Sequence, residues 1–189
     1  MTELCKLAYK YGTDKCSQIN HSYTPFYYKL FKDKKDLIKK VLEMGIGTFN
    51  RRYHPKHYVT GASLYMWRDF FPNAQIYGAD ILLETMFKDE RIKTFLCDET
   101  KKENLEELIK KTGSNIDIFI DDALHFRTAQ INLCKTIMPM LKKDVIYIIE
   151  DVLLPKLISR SLTEYDCFIP QFKKKRRRDN IVIVKNYGE

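Results

Sequence analysis

The side chains able to do chemistry in this chain cluster at the ends of three apolar runs: VLEMGIG (41–47), IDIFIDDALH (116–125) and VIYIIEDV (145–152). If the three are neighbouring parallel strands, Gly45, Gly47, Asp121, Asp122, Glu150 and Asp151 share one sheet edge, where open α/β sheets bind ligands. Asp122, Glu150 and Asp151 offer hard oxygen ligands suited to Mg²⁺ or Mn²⁺. No thiolate or second histidine accompanies them, which argues against zinc. Three carboxylates packed together repel one another, so a positive charge is expected among them. The plainer reading makes Asp122 and Asp151 exposed helix caps and turns Glu150 to solvent. His125, three residues past Asp122, can serve as a general base because an imidazole titrates near neutrality; otherwise it is a cap or a partly buried filler. His125 and Asp122 are the catalytic candidates.

Gly45 and Gly47 let the backbone turn sharply after a strand and approach a ligand closely. They do not complete a dinucleotide fingerprint, because Asn50 stands where a third glycine is required. The next acidic strand end, Asp80, lies 35 positions past Gly45, whereas a nicotinamide site expects about twenty. A carboxylate there still accepts hydrogen bonds from the ribose diol of an adenosine cofactor. Asp98 closes the following strand and either accepts from an adenine amino group or caps the helix near 102. Asp121 lies on the same edge and joins the cofactor candidates.

Strand-like and helix-like segments alternate from residue 25, the pattern of a doubly wound sheet. Strands are expected at 41–46, 75–81, 92–97, 116–121 and 144–150. Helices are expected at 25–40, 62–71, 102–112 and 126–141, with a weaker one at 83–88. The β-prone runs 165–172 and 179–186 flank a basic cluster rather than a helix and read as an antiparallel hairpin. The expected fold is therefore α/β, a mostly parallel seven-stranded sheet ending in a hairpin. Residues 1–189 read as one domain, with 1–24 a partly ordered lead-in that folds over the site.

The chain has 189 residues, five scattered cysteines and a formal net charge of +8. The cysteines form no CxxC pair and read as small core residues of a protein in a reducing compartment. No apolar run is long enough to span a bilayer and no signal peptide is visible, so a cytoplasmic protein without a membrane partner is expected. The one dense charge run, KKKRRR (173–178), reads as a solvated hairpin tip that discourages edge pairing. Nucleic-acid binding is the alternative for it, disfavoured because no aromatics interleave for base stacking.

GTDK (12–15) with His21 and Tyr23, VLEMGIG, GASLYMWRDFFP (61–72), IYGADI (76–81), IDDALH (120–125) and IYIIEDV (146–152) together resemble the macrocin O-methyltransferase family. The resemblance implies a Rossmann-like class I methyltransferase fold. It also implies transfer of a methyl group from S-adenosylmethionine, with magnesium, to a sugar hydroxyl, often on a deoxyhexose such as rhamnose. It implies that Glu43, Gly45, Gly47 and Ser63 surround the methionine part of the cofactor, Asp80 takes the ribose and Asp98 the adenine side. Asp122, Glu150 and Asp151 would hold the metal, His125 would act as base, and Asp14, Lys15 and His21 would close over the site. Ala123 and Leu124 stand where the family usually has glycine and serine, removing one polar contact. Some members carry an extra N-terminal domain, so acceptor identity does not transfer. The expected partner is a sugar or glycan, with a homo-oligomer left open; a catechol-type O-methyltransferase and an RNA-binding methyltransferase are the alternative functions.

Overall fold

The computed structural model describes residues 1–47, 55–173 and 176–188. Its framework is one eight-stranded sheet: β1 (Lys40–Met44), β2 (Gln75–Asp80), β3 (Lys88–Asp89), β4 (Ile92–Leu96), β5 (Ile118–Asp121), β6 (Ile146–Ile149), β7 (Asp166–Phe168) and β8 (Val182–Lys185). The order across the sheet is β3-β4-β2-β1-β5-β6-β8-β7. From β4 to β6 every pairing is parallel, and β8 runs antiparallel between β6 and β7. The expected terminal hairpin is present, four of the five central strands fall within their expected ranges, and β1 begins one residue before its own.

The interior strands are covered on both faces, so their sequences are nearly continuous apolar runs. The pleat divides them. Val41, Ile76, Ile118, Ile120, Ile146 and Ile148 face one cluster, and Leu42, Met44, Phe119, Tyr147 and Ile149 face the other. Helices α1 (Glu3–Tyr11), α2 (Thr24–Phe31) and α3 (Ala62–Phe70) supply the first cluster. Helices α4 (Lys102–Thr112), α5 (Arg127–Ile137) and α6 (Pro155–Ser161) supply the second.

Four expectations are corrected. The lead-in contains a capped helix: Thr2 Oγ1 accepts from Cys5 N, and Gly12 ends α1 in the left-handed region at φ 79°. Helix α2 stops at Phe31 instead of running to 40, because the lysine-rich stretch after it offers only the adjacent Leu37 and Ile38, of which Ile38 alone is buried, and no helically spaced apolar stripe. The weak helix at 83–88 is a single 3₁₀ turn, Leu83–Thr85, followed by the edge strand β3, which makes the sheet eight-stranded instead of seven. Helix α6 was not expected; its spacing of Leu154, Ile158 and Leu162 was visible, but its seven residues are too few for a clear period.

Successive crossovers from β1 build the sheet toward β4, while β5 and β6 lie on the other side of β1. The strand order therefore reverses between β1 and β5, and the crevice beyond their carboxyl ends is the expected ligand position.

Candidate functional site

Gly45 makes that crevice possible. It has φ 85°, and a Cβ on it would fall on the Asp122 carbonyl and within 2.8 Å of Ala123 Cα. The chain leaving β1 thus packs directly on the chain leaving β5, which only glycine allows. A cavity of about 560 Å³ opens there, lined by Gly45, Gly47, Asp80, Asp98, Asp122 and His125 among others. Asp80 is 9% exposed, and its oxygens accept from Ile46 N at 2.9 Å and Leu82 N at 3.0 Å. These bonds fix the carboxylate at the cavity wall and leave each oxygen a second lone pair for a ligand. Asp98 also faces the cavity. Its Oδ1 accepts from the backbone and hydroxyl of Thr100, which hold its pKa below the usual carboxylate value. It is not the cap of α4, whose N-cap is Lys101.

Ser63 lies apart from this cavity, on a smaller one of about 50 Å³ that shares Asp14, Gly45, Gly47 and Asp122 with it. Two cofactor candidates face neither cavity. Glu43 is fully buried; its Oε2 accepts from Trp67 Nε1 at 2.6 Å, and its Oε1 stands 3.5 Å from Lys15 Nζ. Asp121 alternates onto the opposite sheet face from Ile120, where Tyr147 donates to it at 3.3 Å. Burial there, with Glu99 adding like charge, pushes its pKa well above the usual value. The edge position was legible for Asp121, but the pleat turned its carboxyl away.

The charge expected among the carboxylates is Lys15. The loop after α1 folds back on itself, with Tyr23 N and Thr24 N donating to the Lys15 carbonyl, and presents the lysine inward. Its ammonium is 1% exposed and lies 2.6 Å from Asp122 Oδ2 and 2.5 Å from Glu150 Oε2. Burial alone would lower the Lys15 pKa. The charges of Asp122, Glu150, Glu43 and Asp14 outweigh it and hold the pKa well above the ordinary lysine range. One cation among three carboxylates cannot compensate them all, and burial pushes Asp122 and Glu150 upward. The other oxygen of Glu150 accepts from Tyr27 Oη at 2.5 Å. Both Glu150 oxygens are therefore engaged, and in this arrangement Glu150 stands outside the group of ligand atoms that converge.

That group is Asp122, His125 and Asp151, each offering a ligand atom within 4.8 Å of the others. Asp151 adopts φ 52°, the left-handed region, which is uncommon for a non-glycine residue and costs about 1 kcal/mol or more. Tyr23 Oη fixes it by donating to Oδ1 at 2.5 Å, and the other oxygen, Oδ2, lies 3.7 Å from His125 Nε2. His125 Nδ1 is buried and meets no hydrogen-bond partner among the described residues. Two hard oxygens and an imidazole nitrogen around one point fit a divalent cation that keeps open positions for water or substrate. Behind Asp151, His21 Nδ1 lies 2.8 Å from Asp179 Oδ1 and 3.6 Å from Asp151 Oδ1. Tyr23 and Tyr27, neither of them a site candidate in the sequence, are thus hydrogen-bond donors of the site.

No protein-family model matches the chain. Mycinamicin VI 2''-O-methyltransferase of Micromonospora griseorubida is 33% identical over 150 residues, 79% of this chain and 36% of that protein. Demethylmacrocin O-methyltransferase of Streptomyces fradiae is 33% identical over the same shares. A rhamnosyl tetracenomycin-C 2'-O-methyltransferase of Streptomyces olivaceus is 31% identical over 79% of this chain and 37% of that protein. The chain is a relative of the macrolide-sugar and rhamnosyl O-methyltransferases. Among solved structures, the methyltransferase MycE of the mycinamycin pathway, in complex with Mg and SAH, matches at a TM-score of 0.78 and 25% identity, covering 98% of this chain and 55% of that one. The fold of these sugar O-methyltransferases is the class I methyltransferase fold. A Podospora anserina methyltransferase bound to SAH shares it at a TM-score of 0.63 and 12% identity. The chain spans little more than a third of the length of these curated relatives.

Proposed function

We propose that this chain transfers a methyl group from S-adenosylmethionine to a sugar hydroxyl, with Mg²⁺ or Mn²⁺ bound beside the acceptor. The observation that carries this reading is a single cavity running from the glycine turn and Asp80 to the Asp122–His125–Asp151 group. Relatives named as sugar O-methyltransferases, and the MycE complex with Mg, SAH and mycinamycin VI, support it. A deoxyhexose such as rhamnose, in a glycan or glycoside, is the acceptor class they favour.

Gly45 and Gly47 bring the backbone close to the methionine part of the cofactor, Asp80 takes its ribose hydroxyls, and Asp98 lies toward its adenine. Asp122 and Asp151 would hold the cation through oxygen, with the imidazole of His125 kept off the metal as the group that would accept the proton of the acceptor hydroxyl. A bound divalent cation supplies stabilisation of the developing alkoxide and a point to which the acceptor is oriented. Because the sulfonium is already an activated leaving group, the protein contributes mainly alignment. Glu150 joins the cation only if Lys15 withdraws from it.

The test is a methyl-transfer assay with S-adenosylmethionine, MgCl₂ and a panel of rhamnosides and other deoxyhexosides, with catechol as the contrasting acceptor. Methylation of a glycoside that stops in EDTA supports the reading. Methylation undiminished by EDTA removes the cation, and transfer to catechol alone removes the sugar.

A further inference from the structure

A further cavity, of about 300 Å³, lies across His125 from the cofactor cavity and shares that residue with it. Its walls include Phe126, Val152, Leu153 and Leu154, with Arg127 and Arg178 beside them. Phe126 is 71% exposed, Leu153 39% and Leu154 40%. A sizeable apolar surface therefore sits open directly beside the reacting group. Such surface next to a site usually serves a ligand.

The two arginines give that ligand a sign. Among the described residues neither guanidinium meets a carboxylate or any other hydrogen-bond partner. Elsewhere in the chain Arg68 pairs with Asp69 and Asp89, and Arg91 donates to three backbone carbonyls. Arg127 is held by the first turn of α5.

Arg178 is held less obviously, by its neighbours. Asp179 is fully buried, accepts from Arg176 N at 2.9 Å and contacts His21 Nδ1 at 2.8 Å. Asn180 Nδ2 donates to the Val152 carbonyl at 2.6 Å and to the Arg177 carbonyl at 2.9 Å, while Val152 N donates to the Asn180 carbonyl at 3.1 Å. Residues 176–180 are thereby tied to the residue that follows Asp151, while Lys174 and Lys175 of the run lie outside the described residues. The backbone carrying each arginine is thus held beside this cavity, and both side chains are exposed there without a partner among the described residues.

We infer that the acceptor carries a phosphate ester, gripped by Arg127 and Arg178 while its sugar reaches His125. The planar guanidinium presents paired donors that match phosphate oxygens, and a dianion or diphosphate uses two such groups at once. A free sugar phosphate and a nucleoside diphosphate sugar share this chemistry. The inference rests on the methyl-transfer reading for the role of His125, and it gives the KKKRRR run a place in that reaction.

The experiment is a calorimetric titration of the protein, saturated with S-adenosylhomocysteine and MgCl₂, with three ligands: methyl rhamnoside, rhamnose 1-phosphate and thymidine-diphosphate rhamnose. The same titrations are run on the Arg127→Met/Arg178→Met double variant. At least one phosphate-bearing ligand is expected to bind the wild type about ten- to a hundredfold more tightly than the neutral glycoside, the range for a hydrogen bond to a charged group. The double variant is expected to lose that preference and to keep its affinity for S-adenosylhomocysteine, because neither arginine faces the first cavity. Equal affinity for neutral and phosphorylated ligands, absence of binding by both phosphates, or a preference that survives in the double variant would overturn the inference. A tighter nucleoside diphosphate sugar identifies a nucleotide-linked acceptor, and equal phosphates identify the phosphate alone. Failure of the wild type to bind S-adenosylhomocysteine counts against the methyltransferase reading itself, so the two failures are distinguishable.

Discussion

Lys15 and Glu150, 135 residues apart in sequence and each 1% exposed, are joined by a 2.5 Å contact from ammonium to carboxylate. The lysine also bridges to Asp122 at 2.6 Å, so it occupies the charge position that a divalent cation would otherwise fill between these two acids. Replacing a buried pair by apolar groups is often harmless, but removing one partner leaves the other charge uncompensated, at about 3–5 kcal/mol. Lys15→Met is therefore expected to lower the melting temperature by about 6–20 °C in EDTA. Added MgCl₂ is expected to recover more of the loss in the variant than it gains for the wild type, because a cation can then reach Glu150. Thermal unfolding of both proteins with EDTA and with MgCl₂ checks this. Equal melting in EDTA would show that the ammonium contributes nothing.

His21 predicts how stability depends on pH in the metal-free protein. Burial alone would lower its pKa. Its hydrogen bond to Asp14, the charges of Asp151 and Asp14, and its hydrogen bond to Asp179 outweigh burial and raise it from 6.5 to about 9. The folded state thus holds a proton that the unfolded state releases near 6.5. Its contribution is complete below 6.5, falls as pH rises, and is gone above about 9. A shift of this size corresponds to up to about 3 kcal/mol. Urea unfolding in EDTA across pH 6 to 10 is expected to show that decline in the wild type and a flatter profile in His21→Gln. Parallel profiles would sink the assignment.

The sheet was legible because its strands are buried on both faces and announce themselves as unbroken apolar runs, as in IDIFI and VIYII. The edge residues were legible for the same reason: Gly45, Asp80, Asp98, Asp122 and Asp151 come where such runs stop. Sequence reasoning failed where a side chain's direction mattered. Asp121 and Asp122 are adjacent letters on opposite sides of the sheet edge, and Glu150 and Asp151 are likewise adjacent, yet one bonds Lys15 and the other faces His125. The network from Lys15, Tyr23 and Tyr27 spans more than a hundred residues, and no local spacing encodes contacts of that range. The short elements β3 and α6 were missed because two and seven residues give no measurable period.

Removing the imidazole of His125 tests the proton-transfer step alone. His125→Ala is expected to lower kcat by about a hundredfold or more, the usual worth of a general base. Its affinity for S-adenosylhomocysteine should change little, since Asp80 and the glycine turn remain. A variant with undiminished kcat would remove His125 from the reaction, while a loss of cofactor affinity with kcat retained would make it a wall of the first cavity. Rate and binding measured on the same preparation separate these results.

Gly45 and Asp80 give a matched pair for the cofactor wall, one acting through the backbone and one through a side chain. Gly45→Ala puts a Cβ where the Asp122 carbonyl lies, at a φ of 85° that alanine disfavours, so the ends of β1 and β5 must separate. Loss of S-adenosylhomocysteine binding is expected together with a lower melting temperature. Asp80→Asn keeps the shape but replaces one carboxylate oxygen by an amide that donates. The backbone N–H of Ile46 or of Leu82 then loses its acceptor, and so does the ribose diol. Here affinity is expected to fall about tenfold or more, with a destabilisation of about 1–3 kcal/mol from the orphaned N–H. Isothermal titration with S-adenosylhomocysteine, beside denaturation of each variant, distinguishes the two. An Asp80→Asn protein that binds as the wild type does would leave the glycine turn as the sole support for an adenosyl cofactor at this edge.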